Sequence, residues 1–583
     1  MEKQQIQHHV MHVGYGKNQD AKTEDVLFVK ERLRDPVTGK EKPNFYLVEN
    51  YERPWYVTKK GLRDTHKQKK DVEYMANLDE YRSTQAALPF RAAKVLDIFT
   101  PNPYLSEINR SPYIYGSSIS SPVLFKNEQD KKNAAVNGDW NPNYTFAMSD
   151  LETNVDSERE EIITGAVAYE DKVLILISEE WMRGDEEKIQ AEVVRIYDKY
   201  VKCMIEKAKE FTLKERKSKA LVDLPDFKIK VRLVKNDMEV VSGIVNFCHN
   251  FKPDFLGFWN MSFDVQKIVD CCQYHCVDPA QLFADRCVPQ KYRYWNWRPD
   301  AETMVTASGK RKNKDPCDKW NIVTCSASFY VIDPMSVFRL MRLIEAKRNS
   351  YSLDATLREI LGVGKMDIPG MEGNHNLDWH RTMQKRHKIE YGAYNIWDCI
   401  GPLLADKVHL DLAVKIGVYA DGSEMSTLLS NPKRLANALH FYLLDKNMVI
   451  CGVSDNMTEE FDNLTLDRKD WIVTLANELA AHVGRKLFSD IPSIQSFATT
   501  DVSDIDVSSG YPTSQVITNA CKTTTLIEVC RIFGITKDEV KHLAVNLQAL
   551  RANAINIAQQ VMGCPSLSKW EALADAEDLR EAA

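Results

Sequence analysis

A short, largely apolar run that delivers two carboxylates constrains this chain most: Phe146-Ala-Met-Ser-Asp150-Leu-Glu152. In a β-strand, side chains two residues apart share one face, so Asp150 and Glu152 would lie side by side. Two like charges buried together raise the free energy of the ionised pair, unless a cation lies between them or one carboxylate takes up a proton. The run therefore predicts a divalent-metal site, although a solvated strand end is also compatible with it.

Two further acidic positions follow downstream. Asp264 comes after the hydrophobic residues 255–259, at a predicted strand-to-helix junction where the backbone is rigid. Tyr394 and Asp398 are four residues apart, which on a helix places the phenol and the carboxylate on one face. Each spacing alone is common and compatible with a structural role. Taken together, the motifs predict one acidic site built from strands and a helix.

The composition is that of a soluble protein with several domains. The 583 residues are 44% hydrophobic and 27% charged, enough to bury several cores, so we expect roughly three to five domains. No apolar run approaches the ~18 residues of a membrane span, and the N-terminus lacks an apolar signal core. We therefore expect a cytoplasmic protein without membrane contact, in the host cytoplasm if it is viral. The net charge of −7 means that nucleic acid would need a local basic surface.

The cysteines favour reduced thiols over a disulfide framework. Thirteen cysteines are scattered over the long chain. One cluster does not form the paired CxxC motifs of a zinc ribbon. Its members are Cys271, Cys272, His275, Cys276 and Cys287. We therefore do not expect zinc there.

Residues 1–143 are predicted to form a β-rich domain. Apolar runs at 26–29 and 44–48 flank the turn sequence Asp35-Pro-Val-Thr-Gly-Lys. Basic and aromatic residues interleave over residues 53–70, which suits either a surface for single-stranded nucleic acid or a solvated edge. Residues 127–143, rich in Asn, Lys and Asp, are predicted to be a linker.

A β-hairpin is predicted over residues 291–324. It begins with Lys291-Tyr-Arg-Tyr-Trp-Asn-Trp-Arg, turns at the basic tip Gly309-Lys-Arg-Lys-Asn-Lys and returns through Trp320-Asn-Ile-Val-Thr. The alternating aromatics and the flexible cationic tip favour paired strands. The pattern is also compatible with a plain surface hairpin.

Three ordered motifs resemble the proofreading 3′-to-5′ exonuclease domain of family B DNA polymerases, particularly those of tailed phages: Asp150-x-Glu152, Asn260-x-x-Phe263-Asp264 and Tyr394-x-x-x-Asp398. The resemblance implies an RNase H-like fold and two Mg²⁺ or Mn²⁺ ions. It implies four metal ligands: Asp150, Glu152, Asp264 and Asp398. It also implies that Tyr394 and Glu152 orient the attacking water, and that Asn260 and Phe263 contact the last nucleotides of the primer. In position, the hairpin predicted over residues 291–324 is similar to the hairpin of the exonuclease domains of phage family B DNA polymerases, which helps to part a primer end from its template.

Residues 501–513 resemble the first palm motif of the same family, Asp-x-x-Ser-Leu-Tyr-Pro-Ser, with Gly510 and Thr513 as departures. On that match Asp506 would hold a catalytic metal and Tyr511 would lie under the incoming sugar. The family's fingers motif and its Asp-Thr-Asp hairpin are not found after it. We therefore expect a truncated or split polymerase, which would bind dNTPs and synthesise DNA only with a second polypeptide.

The predicted fold class is α/β and α+β, in four parts. They are a β-rich N-terminal domain (1–143), an RNase H-like exonuclease (144–414), a helical return to the N-terminal domain (415–448) and a partial palm (449–583). A long amphipathic helix is predicted at 468–488.

The predicted function is the N-terminal part or subunit of a family B replicative polymerase, with exodeoxyribonuclease activity on single-stranded and primer-template DNA. Two alternatives are a non-catalytic factor that binds primer ends and a free-standing repair exonuclease with a vestigial palm.

Overall fold

The computed structural model describes residues 5–65, 70, 72–305, 310–371, 373 and 375–454, which belong to one compact unit reaching Asp455. A second unit begins at Asn456. The predicted helix at 468–488 and the palm motif with Asp506 and Tyr511 lie outside the described residues.

The N-terminal region is built mainly from antiparallel strands, as its apolar runs and turns predict. One sheet has the order β1-β2-β3, and a second sheet is centred on β4 with β6 and β7 at its sides. The elements are β1 (Gln7–Lys17), β2 (Asp25–Arg34), β3 (Glu41–Glu49), β4 (Arg53–Thr58), β5 (Val72–Tyr74), β6 (Leu78–Ser83), α1 (Leu88–Val95), α2 (Leu105–Ile108), β7 (Ile114–Tyr115) and α3 (Ser121–Asn137).

The prediction of an accessible aromatic and basic face is wrong for the stretch that forms β4. This strand pairs on both sides, and Trp55 and Tyr56 are buried in the core. The guanidinium of Arg53 is also buried and donates hydrogen bonds to the backbone carbonyls of Gly116, Ser117 and Ile119. A central strand buries its aromatic residues because both of its edges and both of its faces are covered.

The predicted linker at 127–143 is also wrong over most of its length, because residues up to Asn137 belong to α3. Pro122 occupies the first turn, where its missing N–H costs nothing. Val123, Leu124 and Phe125 are buried and anchor the helix. The polar residues that follow form a helical surface whose composition alone resembles that of a linker.

A mixed eight-stranded sheet forms the centre of the remaining described chain, with the order β11-β10-β9-β8-β12-β17-β16-β13. Strand β8 pairs antiparallel with β9 and parallel with β12. The elements are β8 (Phe146–Thr153), β9 (Ile162–Tyr169), β10 (Lys172–Ser178), α4 (Glu186–Ile196), α5 (Lys202–Lys214), β11 (Lys228–Val234), α6 (Asp237–Phe251), β12 (Phe255–Phe258), α7 (Met261–Tyr274), α8 (Pro279–Phe283), β13 (Trp295–Arg298), β14 (Thr303–Val305), β15 (Arg311–Asn313), β16 (Ile322–Cys325), β17 (Tyr330–Ile332), α9 (Pro334–Leu340), α10 (Leu353–Leu361), α11 (Leu377–Arg386) and α12 (Lys388–His409).

Helices cover both faces of this sheet. On one face Met148 of β8 packs in a core with residues of α4, α5, α10 and α12. On the other face Ala147 and Leu151 pack with residues of α6 and α7. Because successive strand residues point to opposite faces, the even-numbered residues of β8 point towards α12. This alternation places Asp150 and Glu152 beneath that helix.

The strand pairing confirms the predicted hairpin, but residues 311–313 of the predicted basic tip belong to its outer strand. Strand β13 pairs antiparallel with β16, with Trp297 opposite Val323. Farther out, β14 pairs antiparallel with β15, with Met304 opposite Lys312. The cationic residues of β15 are exposed.

After α12, a π-helical segment (Asp411–Lys415), α13 (Ile416–Ala420) and α14 (Asn431–Leu444) lead to β18 (Met448–Ile450). Strand β18 pairs antiparallel with β5, so this part of the chain lies against the N-terminal region. Within the described ranges, helices long and apolar enough to cross a membrane are absent.

Candidate metal centre

Strand β8 supplies the first two carboxylates. Asp150 lies opposite Ala166 of β9, and Glu152 lies opposite Thr164, immediately before an irregularity in the pairing. The Ser149 hydroxyl donates to the Ala166 carbonyl over 2.8 Å on the opposite face from the site, which fixes the strand locally. Glu152 is only 9% exposed. Asp150 beside it is half-buried. The site is therefore largely buried and is anchored on a central strand.

Helix α12 supplies the third carboxylate. Asp398 is fully buried, and one oxygen each of Asp150, Glu152 and Asp398 lie within 4.8 Å of one another. The structure thus brings together three of the four predicted metal ligands, which we call the carboxylate cluster. Tyr394 lies one turn before Asp398 on the same helical face, as its spacing predicts.

Asp264 lies beside this cluster, at the start of α7. It is buried, and its Oδ1 accepts a hydrogen bond from the Leu151 N–H over 3.2 Å. That bond ties α7 to β8 between the two carboxylates of the strand. Asp264 is not among the oxygens that lie within 4.8 Å of one another. It therefore stands at the border of the cluster.

The turn before Asp264 carries the predicted contacts to a primer. Asn260 has a left-handed backbone (φ 65°), and Phe263 is 46% exposed. The buried Asp333 carboxylate accepts from the N–H groups of Asn260 (3.2 Å) and Met261 (2.9 Å). Asp333, which the sequence did not single out, holds this turn in place while Phe263 stays accessible.

Lys365 is a member of the site that lies outside the predicted set of ligands and catalytic residues. It ends the sequence Leu361-Gly-Val-Gly-Lys365, which resembles the segment that connects the second and third motifs in family B DNA polymerases. Its ammonium donates to the Tyr394 hydroxyl over 2.6 Å and to Asp398 Oδ2 over 2.7 Å. The other oxygen, Asp398 Oδ1, is buried and accepts no hydrogen bond from the described residues. A single lysine after Gly364 gives no periodic signal, so only the folded chain reveals its role.

Burial and mutual repulsion dominate the electrostatics of the cluster. Burial, helped by the charges of Glu152 and Asp398, raises the pKa of Asp150 well above its usual range. Burial likewise raises the pKa of Glu152 to about 7, against an opposing hydrogen bond from Tyr391. For Lys365, burial lowers the pKa, but Asp398 and Asp150 outweigh it and leave the pKa raised. One ammonium faces several carboxylates, so full ionisation would leave an excess of negative charge, and the raised pKa values of Asp150 and Glu152 reflect that cost.

Two more side chains of α12 fix the cluster. Asn395 donates to Asp150 Oδ2 over 2.7 Å, and the Tyr391 hydroxyl donates to Glu152 Oε2. Counted from Tyr391, Tyr394, Asn395 and Asp398 follow at three, four and seven residues, which is one face of a helix. That period was visible in the sequence, but it did not reveal which residues the side chains would meet.

A second group of metal-capable side chains joins α6 and α7: Asp237, Cys271 and His275. We call it the α6–α7 cluster. Asp237 Oδ1 lies 2.6 Å from His275 Nε2, and Asp237 Oδ2 accepts from Arg159 over 2.7 Å. Of the cysteines in the sequence cluster, Cys272 is buried and Cys276 and Cys287 are exposed.

In comparisons with known proteins, neither a family model nor a curated protein matches this chain.

Proposed function

We propose that this chain is a metal-dependent 3′-to-5′ exonuclease of the kind that proofreads for family B DNA polymerases. The observation that carries the proposal is the carboxylate cluster, in which the oxygens of Asp150, Glu152 and Asp398 lie within 4.8 Å of one another. Such a concentration of buried negative charge is costly without a cation.

The strand directions in the large sheet support the proposal of an RNase H-like core, which the resemblance implies. Around β8, strands β9 and β10 continue antiparallel on one side, while β12 and β17 continue parallel on the other. Helices cover both faces. The carboxylates come from the central strand and from a helix packed on it, which gives the site a rigid base.

The side chains present suit Mg²⁺ or Mn²⁺. All the donors are carboxylate oxygens, the hard ligands that these ions prefer. Asp398 Oδ1, buried and without a described partner, is an acceptor that a cation would satisfy. Asp150, Glu152 and Asp398, with Asp264 beside them, would hold two ions. When bound, such ions generate a hydroxide nucleophile and offset the charge on the leaving 3′ oxygen.

Tyr394 has a geometry suited to orienting water or phosphate. Its oxygen accepts the Lys365 hydrogen bond, so its own hydrogen remains to be donated. Lys365 in turn neutralises part of the Asp398 charge. Phe263 is accessible at the turn before Asp264 and could stack on a terminal base, as aromatic side chains do with single strands. Asn260 would contact the neighbouring nucleotide.

The described chain would then carry the N-terminal and exonuclease portion of such a polymerase. On the same resemblance, Asp506 and Tyr511 would belong to its palm, which binds dNTPs together with fingers, thumb and further carboxylates. Two metals at a polymerase site need more than one carboxylate. Asp506 alone would not hold both ions.

The test is digestion of 5′-labelled single-stranded DNA by the purified chain with Mg²⁺ or Mn²⁺. We expect stepwise shortening from the 3′ end. The double variant Asp150→Ala, Glu152→Ala should lose at least about a hundredfold in rate, the scale of one preorganised electrostatic element. The control His275→Gln, which changes the α6–α7 cluster, should cut within about twofold of the parent chain. Equal rates in the double variant and the parent would refute the proposal.

A further inference from the structure

Tyr391 lies about one helical turn before Tyr394, on the side of the carboxylate cluster formed by Glu152. It is fully buried, and its hydroxyl donates to Glu152 Oε2. A phenol has a single hydrogen, so a hydroxyl that donates to Glu152 cannot donate to another group. Tyr391 therefore fixes one oxygen of Glu152 and, with it, the orientation of that carboxylate beside the cluster.

The phenol oxygen is itself held from two sides. His380 Nδ1 lies 2.7 Å from it, and Gln384 Nε2 donates to it over 3.2 Å. Because the phenol hydrogen is given to Glu152, His380 must carry its own hydrogen on Nδ1 and donate. Gln384 also donates to the Thr153 carbonyl over 2.8 Å, which ties this group to the end of β8.

The aromatic ring cannot swing away from this position. The rings of Tyr391 and Tyr394 are parallel to within 2°, with centroids 5.8 Å apart. Trp379 of α11 packs against both, at 6.2 Å and 5.0 Å. Packing therefore holds the hydroxyl in the direction of Glu152.

We infer that Tyr391, held by His380 and Gln384, is the positioning residue that orients the Glu152 carboxylate for metal. The inference rests on the proposed function. The Tyr391 hydroxyl donates its single hydrogen to Glu152, so its effect passes through that carboxylate. Tyr394 differs, since its hydroxyl bonds Lys365 inside the cluster. Outer partners of this kind typically change metal affinity by about ten- to a hundredfold.

The test compares Tyr391→Phe with Tyr144→Phe in the full chain. Tyr144 is a matched control because its phenol donates to the Met11 carbonyl over 2.9 Å, away from the cluster. Mn²⁺ binding is measured without DNA, by calorimetry and electron paramagnetic resonance. Tyr391→Phe should bind Mn²⁺ about tenfold more weakly, and Tyr144→Phe should bind as the parent does.

Kinetics provide a second readout. Tyr391→Phe should lower kcat at fixed Mn²⁺ while KM for DNA stays unchanged, and excess Mn²⁺ should restore part of the rate. Because Mn²⁺ also stabilises the folded chain, the rates are compared under conditions in which both variants are fully folded without metal, where a merely structural role would not respond to added metal. The partly exposed His380 offers a milder variant if Tyr391→Phe fails to fold: His380→Ala should weaken Mn²⁺ binding about threefold.

Unchanged Mn²⁺ affinity in the folded variants of Tyr391 and His380 would overturn the inference. If the parent chain binds Mn²⁺ and cuts DNA, and the variants bind Mn²⁺ equally well, the inference is wrong but the proposed function stands. A parent chain that neither binds Mn²⁺ nor cuts DNA would instead overturn the proposed function, and the inference with it.

Discussion

The carboxylate cluster and the α6–α7 cluster both gather three metal-capable side chains, but their charges are balanced differently. In the α6–α7 cluster both oxygens of Asp237 are engaged, one by His275 and one by Arg159. Burial also raises the pKa of the Cys271 thiol, which keeps its proton. In the carboxylate cluster, Lys365 is the cation in contact with Asp398, and Asp398 Oδ1 is without a partner among the described residues.

The comparison shows that the residue types in a cluster do not by themselves indicate a metal site. Whether the cluster already contains a balancing cation also matters. Asp, Cys and His are good zinc ligands by type, yet Arg159 occupies the place that a cation would take in the α6–α7 cluster. The carboxylate cluster has carboxylates in excess of its ammonium, and its hydrogen bonds come largely from neutral groups such as Tyr391 and Asn395. A buried excess of charge of one sign is therefore the better indicator of a metal site.

Metal stabilisation should give the largest difference between the two clusters. At about a hundred times its Kd, Mn²⁺ should raise the free energy of unfolding by about 2.7 kcal/mol, because it binds only the folded chain. The double variant Asp150→Ala, Glu152→Ala should lose this effect, and His275→Gln should keep it. Denaturant unfolding with and without Mn²⁺ measures both. Loss of the effect in His275→Gln alone would reverse the assignment of the two clusters.

Without metal, the free energy of unfolding should change with pH as Glu152 titrates. Its pKa is about 7 in the folded chain, above its ordinary value of 4.5, so the folded state favours the protonated form. The stability from this group is fully present below pH 4.5 and is lost as the pH rises through 7. In EDTA at pH 8, Glu152→Gln should therefore be about 2 kcal/mol more stable than the parent, with no difference near pH 4.

Glu359 is a control of opposite sign for that measurement. Arg348 lowers the pKa of Glu359, so its stabilisation is present at neutral pH and is lost as the pH falls. Glu359→Gln should thus be less stable than the parent at pH 8. If Glu152→Gln is also less stable than the parent at pH 8, the fold does not disfavour the ionised form of Glu152.

The smallest effect should come from Arg159 in the α6–α7 cluster. Arg159→Met leaves the buried Asp237 with one partner fewer, so we expect a loss of about 1 kcal/mol in EDTA. Removing the guanidinium should also allow Zn²⁺ to stabilise the variant but not the parent, as unfolding with and without Zn²⁺ would show. If Zn²⁺ stabilises the parent as much as it stabilises Arg159→Met, then Arg159 does not exclude a metal and the proposed difference between the two clusters is wrong.

Local patterns predicted much of the site. The alternation around Asp150 and Glu152 predicts their shared strand face, and the spacing of Tyr394 and Asp398 predicts their shared helical face. The same kind of reasoning failed over residues 127–137 and 53–58. Composition does not distinguish the polar face of a helix from a linker, nor a buried aromatic strand from a binding surface.

The sequence by itself determined which face each carboxylate would occupy, because strand and helix periods act over a few residues. Only the tertiary structure decided what each carboxylate meets. Lys365 reaches Asp398, and Tyr391 reaches Glu152, across separations of 33 and 239 residues. Such contacts depend on how α12 packs on β8, and packing is settled by the whole core rather than by neighbours along the chain.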